Sequence, residues 1–177
     1  MINTCMAMVP FFKTVVHGLL VCIPFSIFIA ITFGTWPRLW LHSLPADIIQ
    51  MAPPKTNEEK KITKFVLLPV YLLILPGLSV GSVIYLFYEG GVQFSFVAIL
   101  THLYAIWVIV HFWDLLIIDG IAMLLINPDH PPIRGTEGAK GWRNYTFHIK
   151  SFCKAVVMSA VFVVPASAIL YLIQDVF

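Results

Sequence analysis

Four long apolar stretches constrain this sequence more than any other feature. They run from about Val9 to Phe33, Phe65 to Tyr88, Val92 to Ile126 and Phe152 to Ile173. Each is longer than the ~20 residues that a helix needs to cross a hydrocarbon core ~30 Å thick. Because lipid cannot hydrogen-bond to bare backbone groups, each stretch must be helical inside the membrane. The sequence therefore predicts an all-α polytopic membrane protein, a bundle of four transmembrane helices.

The composition supports a bilayer as the solvent. Hydrophobic residues make up 59% of the 177 residues and charged residues only 11%, whereas soluble domains have about 25% charged residues. These values exclude a soluble globular domain, a disordered chain and a nucleic-acid-binding domain. We expect no nucleic acid among the partners.

Local signals set the predicted ends of the helices within one transmembrane domain, 1–177. We expect helices over about 9–33, 57–88, 92–126 and 142–174, with loops over about 35–56 and 127–141. Thr56 and Glu59 have the spacing of a capping box, so the second helix should begin before the bilayer. Pro69 and Pro76 should kink it. The run 141–150 is amphipathic and should lie at the interface before the fourth helix.

The basic residues predict the orientation. All of the 11 lysines and arginines except Lys13 lie in the two segments 35–64 and 127–154. By the positive-inside rule these segments are cytoplasmic. The prediction is an integral protein of an inner or plasma membrane, with both termini and the Glu89 turn outside.

Polar residues within a membrane are candidates for function, and here they concentrate in the third helix. At about 100° per residue, one face with an arc of about 140° collects five of them. We expect this face to point into the bundle, with His102 on the opposite side. Asp114 should lie near the inner boundary and Asp119 beyond it, solvated or paired with Arg143, Lys150 or Lys154. The five residues are Thr101, Tyr104, His111, Asp114 and Asp119.

His111 and Asp114 are three residues apart and are therefore neighbours on a helix. One hypothesis is a divalent metal site. A second is a proton or ion pathway formed with Tyr104 and Asp119, because histidine releases and binds protons near neutral pH. A third is a hydrogen-bonded pair that only holds helices together.

His17 and His102 should lie at similar depth in the first and third helices. Two facing histidines can be axial ligands of a haem b. His111 and His148 would form an inner pair by analogy. However, His102 and His111 lie on opposite faces of one helix, which argues against two haems.

Two segments carry a family resemblance. The loop Gly135–Gly138 (Gly-Thr-Glu-Gly) and the following run Tyr145–Lys150 (Tyr-Thr-Phe-His-Ile-Lys) resemble those of uncharacterised small prokaryotic four-helix integral membrane proteins. The resemblance implies the four-helix architecture and no particular activity. The glycine-rich stretch itself is interpreted as a flexible turn.

Three functional hypotheses remain open. The first is conduction or coupling of protons or a cation through the polar face of the third helix, in an oligomer. The second is an accessory subunit of a larger membrane complex, with basic loops that engage anionic lipid headgroups. The third is a haem or metal redox protein. Since no Gly-x-Ser-x-Gly or His-Glu-x-x-His motif occurs, enzymatic activity is not expected. Interfacial aromatics would serve the second hypothesis: Trp36, Trp40, Trp142 and Tyr145.

Overall fold

The computed structural model describes residues 8–90 and 93–176. It contains four helices that are long and apolar enough to cross a membrane, which confirms the predicted all-α bundle. A shorter helix, α2, lies between the first two. The helices are α1 (Phe11–Thr35), α2 (Ala46–Met51), α3 (Asn57–Glu89), α4 (Phe96–Leu125) and α5 (Tyr145–Ile173).

The helix ends follow the local signals closely. The Thr56 hydroxyl accepts a hydrogen bond from the Glu59 amide, and the Glu59 carboxylate accepts one from the Thr56 amide, so the predicted capping box is present. The predicted start at Val92 lies outside the described residues. The fourth long helix begins at Tyr145 rather than 142, because Lys140–Arg143 forms a 3₁₀ turn.

Helix α3 accommodates its prolines with π-helical turns. One turn, Thr63–Leu67, precedes Pro69, and another, Leu73–Gly77, contains Pro76. Proline has no backbone N–H and removes a helical hydrogen bond. A turn closed by i→i+5 bonds is one way to adjust the register around it.

The core of the bundle is built around α4. This helix makes its most extensive contacts with α1 and α5, which lie on different sides of it. Its side chains Ile99, Leu103, Ile106 and Val110 are almost completely buried. Gly18 lets α1 approach closely, since a Cβ there would lie 2.8 Å from Cδ1 of Ile109.

The two loop segments 36–56 and 126–144 lie at the end of the bundle that carries most of the lysines, which we call the basic end. They form a small apolar cluster of their own around Ile48, Ile133 and Trp142. The indole of Trp142 donates to the Thr136 carbonyl, and Thr136 itself is fully buried. The turns predicted within 135–141 are present and pack against this cluster. The interpretation of Trp142 as an interfacial side chain was wrong, because the cluster buries it.

One close approach holds the two loops together at Gly141. Its amide donates to Asp47 Oδ2 over 2.7 Å. A Cβ at Gly141 would lie 2.9 Å from both Ile48 Cγ1 and Pro45 Cβ. Only glycine fits here without displacing α2.

We predict that Gly141→Ala lowers the free energy of unfolding by about 1–3 kcal/mol, because the added methyl group overpacks the contact with α2. Thermal unfolding in detergent measures the effect. The matched control is Gly34→Ala on α1, where a Cβ meets no atom within 4 Å. Equal melting temperatures for the two variants would contradict this explanation.

Candidate functional site

The side chains of the predicted polar face of α4 make hydrogen bonds to different partners. The Tyr104 hydroxyl donates to the Val156 carbonyl of α5 at 3.0 Å. His111 Nε2 lies 3.1 Å from Ser159 Oγ, also on α5. Thr101 does not point into the bundle as expected. It is exposed, and its hydroxyl donates to carbonyls of its own helix.

A π-helical turn, Asp114–Asp119, follows this face. Such a turn closes i→i+5 hydrogen bonds, so each residue advances by less than the 100° of an α-helix. The angular positions predicted at 100° per residue are therefore not valid beyond Trp113. The turn places the two aspartates along one large cavity.

Asp119 pairs with a residue that the sequence did not indicate. Its Oδ2 lies 2.7 Å from Nδ1 of His148, in the first turn of α5. The expected partners were Arg143, Lys150 and Lys154. Arg143 instead donates to the carbonyls of Met123 and Ile126, at the end of α4.

The cavity has a volume of about 1550 Å³ and occupies the half of the bundle nearer the basic end. Along α4 its wall extends from His111 to Met123, which is about 18 Å of helix. The side chains of Ile49, Leu68 and Ile121 line it and remain exposed, so the cavity is open to the outside of the bundle. The histidines, lysines and aspartates that line it are His42, Lys55, Lys60, Lys64, His111, Asp114, Asp119, His148, Lys150 and Lys154.

Two of these residues, His42 and Lys55, belong to the first loop and help to shape the edge of the cavity. The Lys55 ammonium donates to the Leu39 carbonyl at 2.6 Å, and burial lowers the pKa of Lys55. Burial, and then the nearby Lys55 charge, lower the pKa of His42. The ammonium group of Lys55 thus stabilises the first loop through this hydrogen bond.

Asp114 differs from the other ionisable groups on this wall. Within the described parts of the chain, no hydrogen bond or ion pair reaches its carboxylate. On the same wall, His111 contacts Ser159 and Asp119 pairs with His148. Among the described residues, Asp114 is therefore the carboxylate of this wall that no other side chain holds by a hydrogen bond or ion pair.

A second polar cluster lies near the other end of the bundle, where His17 and His102 meet as expected. Their ring centroids are 5.4 Å apart, and the rings are steeply inclined at 80°. His102 Nδ1 lies 2.8 Å from Thr14 Oγ1, and its Nε2 lies 3.1 Å from Ser82 Oγ. The buried Nδ1 of His17 has no hydrogen-bond partner among the described residues.

These contacts bear on the haem and metal hypotheses. A haem iron would need a ring nitrogen of His102, and both nitrogens already contact hydroxyls. The arrangement as it stands does not fit a bis-histidine haem. Across the described residues, no three His, Cys, Asp or Glu side chains converge on one point. His111 and Asp114 alone would supply fewer ligands than a protein zinc site uses.

Several polar contacts could not be anticipated from the sequence. Trp107 Nε1 donates to Ser79 Oγ, and Trp113 Nε1 donates to Ser26 Oγ. These indoles and serines are far apart in the chain and carry no motif.

Comparisons with protein-family models, curated proteins and solved structures found no match to this chain.

We predict that Thr14→Val lowers the free energy of unfolding by about 0.6–2 kcal/mol, the range for interhelical hydrogen bonds in membranes. The change removes the hydroxyl beside His102 and keeps the shape of the side chain. Unfolding in detergent measures it. Thr101→Val is the control, since that hydroxyl bonds only within its own helix. The prediction fails if both variants are equally stable.

Proposed function

We propose that this integral membrane protein binds and transfers protons, with Asp114 as the central proton carrier. The observation that carries the proposal is the position of Asp114. Its carboxylate lines an open cavity inside the bundle, and within the described residues it has no hydrogen-bond or ion-pair partner. A charged carboxylate is costly within a membrane, so neutralisation by a proton, or by a cation in its place, is favoured there.

The cavity supplies access from the basic end. It extends along α4 as far as His111, which is one helical turn beyond Asp114. Asp119 and His148 lie on the same wall, closer to the basic end. A proton that enters from this end can therefore pass the Asp119–His148 pair before it reaches Asp114.

The opposite end offers a separate set of proton-binding groups. Lys13 and Glu89 form an ion pair of 2.7 Å there, and His17 and His102 lie further inside. The Ser82 hydroxyl contacts His102 and donates to the Ser79 carbonyl. These polar contacts therefore extend from His102 towards the middle of the bundle.

An apolar barrier separates the two sets. His102 and His111 are nine residues apart on α4, or about 13 Å along the axis. Leu103, Ile106 and Val110 are completely buried between them, and Trp107 is nearly so. A permanently open pathway would dissipate a proton gradient, whereas two sets of proton-binding groups divided by a barrier suit gated or coupled transfer.

The accessory-subunit hypothesis stays a prediction, as do the homo-oligomer and the outside location of both termini. Trp36 and Tyr145 are exposed and remain available for a partner or for lipid headgroups. Trp142 is buried and does not contribute. Asp114 has no specific role under this hypothesis, and this difference allows an experiment to separate the two hypotheses.

We predict that Asp114→Asn reduces proton uptake into vesicles containing the protein to the rate of protein-free vesicles, because the amide cannot carry the proton. A pH-sensitive dye trapped in the vesicles measures uptake under an imposed potassium diffusion potential. Asp114→Glu, which retains a carboxyl group, should restore part of the rate.

The control is Asp129→Asn, an exposed carboxylate in the second loop that does not line the cavity. It should transfer protons at the wild-type rate. Melting temperatures establish that each variant is folded. Uptake by the wild type no faster than in empty vesicles, or unchanged uptake by Asp114→Asn, would rule out the proposal.

A further inference from the structure

The cavity has a second property that proton transfer does not use, namely its apolar depth. It is lined by Phe25, Ile29 and Phe33 of α1 and by Leu115 and Ile118 of α4. Its volume of about 1550 Å³ exceeds the ~300–1000 Å³ of typical small-molecule pockets. A proton pathway needs neither this volume nor this apolar wall.

Lysines stand at the entrance to this apolar space. Lys60 and Lys64 lie one turn apart on α3, and Lys150 and Lys154 lie one turn apart on α5. Residues four apart share a face of a helix, and all four line the cavity. Helices α3 and α5 pack against each other through the far segment Leu78–Gly90. Towards the basic end the cavity lies between them, with one lysine pair on each side.

The four ammonium groups have no anionic partner among the described residues. The ion pairs among the described residues join Lys13 to Glu89, Arg38 to Glu59 and His148 to Asp119. None of them uses a lysine of this entrance. Five lysines but only two aspartates line the cavity, and His148 pairs with one of the aspartates. The entrance therefore has an excess of positive charge.

We propose that the cavity binds an anionic membrane lipid, with its phosphate group between the α3 and α5 lysines and its acyl chains against the apolar wall. Basic pockets between transmembrane helices are suited to phosphate headgroups. The apolar wall favours a lipid over a free phosphate ion, because only the lipid has acyl chains that can pack against it. The opening beside Leu68 and Ile121 lets chains enter from the surrounding bilayer.

This binding site goes beyond proton transfer and depends on different side chains. The lysines of the entrance are separate from Asp114, and a lipid can occupy the site whether or not protons move. Asp114→Asn should therefore retain the lipid, and loss of lipid binding would not by itself disprove proton transfer.

Native mass spectrometry of the whole protein in mild detergent tests the proposal, with phosphatidylglycerol, phosphatidylcholine and inorganic phosphate as probes. We expect retention of phosphatidylglycerol in preference to phosphatidylcholine. The double variant Lys64→Gln/Lys154→Gln should bind phosphatidylglycerol at least about tenfold more weakly, because each basic residue near an anionic headgroup contributes to binding.

Two further variants make the test specific. Lys61→Gln/Lys140→Gln removes the same charge from exposed lysines at the same end that do not line the cavity, and it should bind as the wild type does. Ile29→Trp fills the apolar depth without changing the charge, and it should also weaken retention. It provides a second test if the lysine variant does not fold.

Three results would overturn the proposal. Equal retention of both lipids would show that the phosphate charge is not recognised. An equal loss in the two lysine double variants would indicate general attraction to the basic end. Binding of inorganic phosphate as tight as that of phosphatidylglycerol would indicate a site for small anions.

Discussion

The arrangement of this bundle depends on the need to satisfy polar side chains that α4 carries on opposite sides. His102 faces Thr14 of α1 and Ser82 of α3, while Tyr104 and His111 face α5. Unsatisfied polar groups are expensive in hydrocarbon. The two sides of α4 therefore select different neighbours, and this makes α4 the centre of the molecule.

The same constraint explains why this cavity lies towards the basic end. Near the other end, α1, α3 and α4 meet at the His102 contacts. Towards the basic end, α5 is held to α4 by the Asp119–His148 pair. The folded loops, joined through Asp47 and Gly141, cover this end. The space that remains between the helices is lined by both apolar and ionisable side chains.

This cavity combines two environments that serve different chemistry. Asp114 is an ionisable group on its wall without a hydrogen bond or ion pair among the described residues, whereas the lysine pairs of α3 and α5 stand at its entrance. The first suits exchange of a proton, and the second suits an anion. A lipid phosphate at the entrance would also alter the electrostatic potential that a proton meets on its way to Asp114.

The sequence by itself determined the four helices, the capping box at Thr56 and the concentration of polar residues on the third long helix. These features depend on hydrophobic length and on residues that are close in the chain. It also placed His17 and His102 at the same depth, because depth follows from counting along two helices.

Only the tertiary structure decided which polar groups meet. The π-helical turn at Asp114–Asp119 changed the register that the helical wheel assumed, and His148 rather than a lysine or arginine became the partner of Asp119. The buried loop cluster around Trp142 required residues about 100 positions apart in the chain to come together. Periodicity reports which face of a helix is polar, but the partner of that face depends on how the helices are placed around it.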